Sequence, residues 1–223
     1  MVTVLMGLVA SAALVLALRH EVRVEALPSA FTLPATAEAE GPAFTVVVIV
    51  DFASAEARQV FREVTRGVAE DLRDAEIRLL HAPAGECKDT RSFGCEAARA
   101  LICAEAVATG PASAWLRLAG AAFDLQWEPE AERRYAALRA RAHDLGFNVD
   151  ALDGCVRGPG SLRKVQAQAD LVRRFGYGGR VGGWVIHRRG VVTQAPFGPT
   201  VTVASLRWLG GCLAAPAMCE GHG

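Results

Sequence analysis

The chain has 223 residues, of which 52% are hydrophobic, and its 24 basic residues are balanced by 24 acidic ones. A net charge of zero argues against nucleic-acid binding, which relies on an excess of Lys and Arg to contact phosphates. The high apolar fraction excludes an intrinsically disordered chain and suffices for one domain of ordinary size with an appendage.

The first 18 residues carry no charge and consist mostly of Val, Leu, Ala and Met. As a helix they would rise roughly 27 Å, which is close to the thickness of the hydrocarbon core of a bilayer. Residues 1–18 therefore predict an N-terminal transmembrane helix, with a cleaved signal peptide or a buried core helix as alternatives. No basic segment precedes the run and no clear cleavage site closes it, which argues against a signal peptide.

The residues that follow this segment indicate which way it would be oriented in the membrane. Arg19, His20 and Arg23 would keep the C-terminal side in the cytoplasm by the positive-inside rule. Six cysteines behind a single apolar segment instead fit export to an oxidising compartment. We expect a single-pass protein of the inner (plasma) membrane with its domain on the periplasmic, extracytoplasmic side.

The remaining chain divides into three regions. Residues 19–42 contain three prolines and predict a linker. Residues 43–213 predict one folded domain, and residues 214–223 a C-terminal tail.

The domain begins with a strand, a helix and a second strand. Residues 44–52 form a nearly continuous apolar run rich in valine, typical of a strand buried on both faces. Ser54 is suited to cap the amphipathic helix that follows, and residues 76–81 predict the next strand. A β-α-β unit of this kind requires a right-handed crossover and a parallel pair of strands.

The middle of the domain is helical and its end returns to strands. Asn148 and Ser161 are suited to cap two of the helices. Residues 183–187 and 191–195 predict a hairpin. The predicted helices cover residues 93–109, 111–123, 130–145, 148–156, 161–175 and, after the hairpin, 201–213.

Six cysteines permit three disulfides if the domain is exported. Cys95 and Cys103 cannot pair with each other, because eight residues along one helix separate their Cα atoms by roughly 12 Å, beyond the ~7 Å that a disulfide spans. Cys103 is then expected to pair with Cys155, or both are buried free thiols. The favoured pairs are Cys87–Cys95, Cys103–Cys155 and Cys212–Cys219.

Two of these pairs have functional alternatives. Cys95 begins a helix, where a thiolate is stabilised, so Cys87 and Cys95 could form a redox centre instead of a structural disulfide. Cys212, Cys219 and His222 could bind a metal ion, although three ligands do not complete a tetrahedral site. We expect neither a metal nor a cofactor.

Several segments, taken with the order of the elements, resemble one known family. Residues 50–53 read Val-Asp-Phe-Ala, and residues 95–104 form an Ala-rich segment with two cysteines, followed by Trp115 and Phe123. Together with Leu-Asp-Gly-Cys ending at Cys155 and the Gly-Trp-Val-Ile strand, they resemble the DsbA-like thiol–disulfide oxidoreductases over about residues 44–213. The resemblance implies an α/β thioredoxin-like fold with a helical insertion at about 92–158, preceded here by the transmembrane helix.

The chain departs from this family at its two hallmark positions. The Cys-x-x-Cys motif falls on Ser54-Ala-Glu-Ala57, and a hydroxyl cannot replace a thiolate in disulfide exchange. The cis-proline falls at Gly182, where a cis bond would cost about 2.5–4 kcal/mol, so we expect a trans bond or a remodelled loop. The resemblance thus implies a degenerate active site with no catalytic residue at Ser54, Ala57 or Gly182.

These features lead to two hypotheses about function. The first is a membrane-tethered accessory subunit of a larger assembly, which binds a protein partner without catalysis. The alternative is an active thiol–disulfide oxidoreductase that uses a displaced pair, either Cys87/Cys95 or Cys212/Cys219.

Overall fold

The computed structural model describes residues 44–70, 75–84, 87, 92–107, 113–125, 130–174, 180–187 and 197–215. The predicted membrane segment 1–18, the linker 19–42, the strand 191–195 and residues 216–223 of the tail lie outside these ranges. None of the helices within the ranges is long and apolar enough to cross a membrane.

The described residues form strands and helices in the order that the sequence predicts. The elements are β1 (Phe44–Val50), α1 (Ala55–Glu70), β2 (Ala75–His81), α2 (Phe93–Val107), α3 (Ser113–Leu125), α4 (Ala131–Asp144), α5 (Val149–Arg157), α6 (Pro159–Arg174), β3 (Gly182–His187) and α7 (Val203–Ala214).

Strand β1 is the centre of the sheet, whose described strands lie in the order β2-β1-β3. It pairs in parallel with β2, where Val50 lies opposite His81, and antiparallel with β3, where Ile49 lies opposite Gly182. The parallel pair confirms the predicted β-α-β unit. Because α1 returns the chain to the start of the sheet, the C-terminal ends of β1 and β2 meet at the same edge.

Both faces of β1 are covered, as its unbroken apolar sequence predicts. Val46, Val48 and Val50 pack into a large core with α1, α7 and helices of the insertion. On the opposite face, Ile49 lies in a smaller core with Leu171 of α6. This alternation follows from the period of two along a strand and places helices on both sides of the sheet.

Helix α1 begins where the sequence predicts. The Ser54 hydroxyl oxygen accepts a hydrogen bond of 3.2 Å from the amide of Ala57, which satisfies one of the unpaired donors of the first turn. Val60, Phe61 and Val64 form the buried face of the helix at helical spacing.

Helices α2 to α5 form the insertion, and a disulfide between Cys103 of α2 and Cys155 of α5 joins two of them. The side chain of Asn148 caps α5 by accepting a hydrogen bond of 3.0 Å from the amide of Ala151, which confirms that predicted cap.

The predicted cap at Ser161 is wrong. Helix α6 begins two residues earlier, at Pro159, and proline suits the first helical position because the amide that it lacks would be unpaired there. The Ser161 hydroxyl is buried and instead donates to the carbonyl oxygens of Val156 and Gly158, at 3.3 and 3.1 Å. It accepts a hydrogen bond of 3.1 Å from Nε of Arg99, so it joins α2 to α6.

Gly183 of β3 has no room for a side chain. A Cβ atom there would lie 1.8 Å from the carbonyl oxygen of Val47 and 2.6 Å from Cζ of Phe197. We expect Gly183→Ala to lower the free energy of unfolding by about 1–3 kcal/mol or more, because β3 would have to move away from β1. Gly211→Ala is the matched control: a Cβ at Gly211 of α7 meets nothing within 4 Å, so this change should stabilise by about 0.5–1 kcal/mol. Equal effects of the two substitutions in urea unfolding would contradict this packing.

Candidate functional site

The candidate site lies at the edge of the sheet where β1 ends and α1 begins. Residues 51–54 form a tight turn, in which the amide of Ser54 donates to the carbonyl of Asp51 at 2.9 Å. We call this turn, with the first residues of α1 and with Gly182 at the start of β3, the tip. Ala53 and the first residues of α1, Ala55 and Glu56, are exposed there.

Ser54 and Ala57 occupy the two positions where the resemblance places sulfur. The hydroxyl of Ser54 is engaged as the cap of α1 and has no imidazole or carboxylate within hydrogen-bond distance among the described residues. Ala57 is fully buried in the large core. An alcohol without a neighbouring base is not an activated nucleophile.

Gly182 lies opposite Ile49 in the sheet, next to the end of β1. Its φ angle is 147°, a conformation that side chains rarely adopt and that the ring of proline excludes. Every peptide bond between described residues is trans, including the one that precedes Gly182. The backbone here is therefore built around glycine and not around a cis-proline.

The carboxylate of Asp51 is the polar centre beneath the tip. It is buried and accepts two backbone hydrogen bonds of 2.9 Å, from the amide of Ala53 through Oδ1 and from that of Ala84 through Oδ2. A Cβ at Gly94 of α2 would lie 2.8 Å from Oδ1, so α2 starts in direct contact with this carboxylate. In the sequence, Asp51 stands out only as part of the Val-Asp-Phe-Ala motif, which does not predict these partners.

His81 is the second polar group below the tip. Its imidazole is buried, lies 5.7 Å from the ring of Phe52, and its Nδ1 has no hydrogen-bond partner among the described residues. Burial lowers the pKa of His81 to about 3, so the ring is neutral at ordinary pH. A neutral, buried imidazole is not available as a base to a substrate at the surface.

The disulfide between Cys87 and Cys95 lies close to the tip. The two Cα atoms are 5.7 Å apart, and the residues are only 4% and 2% exposed. Cys95 lies in the first turn of α2, whose cap is Ser92, and the bond packs against Val165 of α6. Both sulfurs therefore belong to a small apolar core.

The structure describes only one of the three residues in the remaining predictions, the Cys212–Cys219 disulfide and the metal site of Cys212, Cys219 and His222. Cys212 lies in α7 and is disulfide-bonded, so its sulfur is not free to bind a metal ion and that alternative is wrong. Cys219 and His222 lie outside the described residues, and the pairing of Cys212 with Cys219 stays a prediction. Within the described ranges, no group of three or more His, Cys, Asp or Glu side chains is arranged to hold a metal ion.

Solved structures share this arrangement of elements. The thiol-disulfide exchange protein alpha-DsbA2 of Wolbachia pipientis matches with a TM-score of 0.59 at 14% identity, over 78% of this chain and 83% of that one. A thioredoxin-like oxidoreductase of Silicibacter pomeroyi matches with a TM-score of 0.56 at 18% identity, over 77% of this chain and 86% of that one. The catalytic domain of Proteus mirabilis ScsC matches with a TM-score of 0.54 at 14% identity, over 78% of this chain and 84% of that one.

The fold is that of the DsbA-like proteins. The comparisons confirm the predicted thioredoxin-like α/β fold with its helical insertion. At these identities the likeness concerns the fold alone. No protein-family model and no curated protein sequence matches the chain.

The buried imidazole predicts a specific pH dependence of stability. His81 takes up its proton near pH 3 in the folded state and near pH 6.5 in the unfolded chain. Between these values the unfolded state binds more protons, so the free energy of unfolding should fall, by up to about 1.4 kcal/mol per pH unit, as the pH is lowered. Above pH 6.5 His81 contributes no pH dependence.

Chemical unfolding between pH 4 and 8, compared with His81→Leu and His81→Gln, tests this expectation. Both variants remove the titrating group but pack differently, so a shallower pH profile common to both assigns the effect to the proton. Profiles parallel to that of the unsubstituted protein would contradict it.

Proposed function

We propose that this protein is a membrane-tethered, extracytoplasmic binding subunit that uses a DsbA-like fold without thiol–disulfide exchange at its tip. The observation that supports this most directly is that Ser54 caps α1 and Ala57 is buried, at the positions that thiol chemistry requires. Exchange needs an accessible thiolate to attack and a second thiol to resolve the mixed disulfide. Neither position supplies one.

The tip has features suited to contact with a protein partner. Its exposed residues Ala53 and Ala55 are small, so that a partner backbone could approach closely, and Glu56 adds a charge at the rim. The Asp51 carboxylate holds the turn in place, which lowers the entropic cost of binding. We therefore assign the tip as the docking surface for a protein partner within a larger membrane assembly.

The membrane tether and the extracytoplasmic location are inferred from the sequence. Residues 1–18 are uncharged and long enough to span a bilayer, and residues 19–42 provide a linker to β1. Two disulfides among the described residues agree with an oxidising compartment.

The alternative is an oxidoreductase that uses the Cys87–Cys95 pair. The position of Cys95 in the first turn of α2 favours it, because the positive end of a helix stabilises a thiolate. The burial of both cysteines opposes it, because an attacking substrate thiol needs access to one sulfur.

Reduction of insulin by dithiothreitol, followed by turbidity, separates these functions. We expect that insulin precipitates no faster with the full chain, purified in detergent, than with dithiothreitol alone. Ser54→Cys/Ala57→Cys restores a thiol at the positive end of α1 together with a resolving thiol, so it should accelerate precipitation. Catalysis by the unsubstituted protein that disappears in Cys87→Ala/Cys95→Ala would refute the proposal and support the alternative.

Site-specific photo-crosslinking in native membranes tests the docking surface. A photoreactive residue at Ala53 should give one discrete adduct with a partner protein. The control position is Glu105, which is also exposed and lies about 16 Å further along α2 than Gly94, the residue of α2 that contacts Asp51. The same adduct from both positions, or from neither, would contradict docking at the tip.

A further inference from the structure

A cleft of about 400 Å³ lies between three helices of the insertion. Its volume is within the range of small-molecule sites, and it is partly open to solvent. The residues that line it come from α2, α4 and α5 and are Glu96, Arg99, Tyr135, Asp153, Val156 and Arg157.

The walls of this cleft are fastened to one another. Arg99 of α2 is buried and donates to the carbonyl oxygens of Val156 and, at 3.2 Å, of Gly158 at the end of α5. The Cys103–Cys155 disulfide joins the same two helices. The relative positions of α2 and α5 are therefore held by a covalent bond and a buried guanidinium.

Helix α4 is fastened to α5 by a second set of contacts. Asp153 accepts hydrogen bonds from the hydroxyl of Tyr135 at 3.0 Å and from Nε of Arg139 at 2.8 Å. Burial would raise the pKa of Asp153, but these two hydrogen bonds and the positive charges of Arg139 and Arg157 lower it overall. Asp153 thus stays ionised and is occupied by its own helices.

Two charged residues of the cleft are left without such partners. Neither Glu96 nor Arg157 forms a side-chain hydrogen bond or an ion pair within 4 Å among the described residues. Burial raises the pKa of Glu96, and the charges of Arg134 and Arg99 offset this only in part. Glu96 is half-buried and Arg157 is exposed, so both charged groups are accessible to a ligand that enters the cleft.

We propose that this cleft binds a small zwitterion of the amino-acid type, with the ammonium group at Glu96 and the carboxylate at Arg157. Glu96 and Arg157 have opposite signs, so a ligand that carries both charges can pair with both residues, whereas an ion of one sign can pair with only one of them. Arginine is suited to the carboxylate because its guanidinium can donate two parallel hydrogen bonds. This site does not depend on the chemistry or the partner assigned to the tip.

Isothermal titration calorimetry on the full chain in detergent tests the site. The probes are glycine, β-alanine, 4-aminobutyrate and lysine, with ethylamine and propionate as compounds that carry one charge only. We expect saturable binding of at least one amino acid in the micromolar to millimolar range, and at least tenfold weaker binding of both single-charge compounds.

The variants assign the binding to the cleft. Glu96→Gln and Arg157→Gln should each weaken binding by at least about tenfold, since each removes one of the two charge-assisted contacts. Glu105→Gln, on an exposed part of α2, and Arg163→Gln, on an exposed part of α6, should leave it unchanged.

Three outcomes would overturn the proposal. The first is no saturable heat with any of the amino acids at millimolar concentration. The second is binding of ethylamine or propionate as tightly as the amino acids. The third is binding that persists in both Glu96→Gln and Arg157→Gln.

Discussion

The buried carboxylate of Asp51 holds together the segments that meet at the tip. It accepts the amides of Ala53 before α1 and of Ala84 after β2, and it lies against Gly94 at the start of α2. Both hydrogen bonds are only partly buried, and a typical one contributes about 0.5–1.5 kcal/mol. The geometry of the tip therefore rests on hydrogen bonds to one ionisable side chain, and it does not require sulfur at residues 54 and 57.

This independence explains how the fold forms with serine, alanine and glycine at the positions where the resemblance places the Cys-x-x-Cys motif and the cis-proline. Serine is among the best N-cap residues, so Ser54 supports the start of α1 through its own hydrogen bond to Ala57. Gly182 adopts a backbone conformation that proline cannot reach, and it still pairs with Ile49. The disulfides Cys87–Cys95 and Cys103–Cys155 lie elsewhere, around and within the insertion, where they hold helices in place.

Local sequence patterns predicted the parts of the fold that depend on local physics. The valine-rich run of β1 indicated burial on both faces, and the caps at Ser54 and Asn148 follow from residues only three positions apart. The contact of Asp51 with Ala84 and the contacts of Arg99 could not be predicted, because these partners lie 33 and about 60 residues away along the chain. Ser161 illustrates the difference, since its partner Arg99 draws the hydroxyl into the interior and leaves the start of α6 to Pro159.

Helix α2 connects the two surfaces to which we assign binding. Its second residue, Gly94, touches the Asp51 carboxylate at the tip, and Glu96 two residues later lines the cleft. Disulfides hold α2 in its first turn, at Cys95, and again at Cys103. The cleft and the tip therefore share one helix, which two disulfides attach to its neighbours.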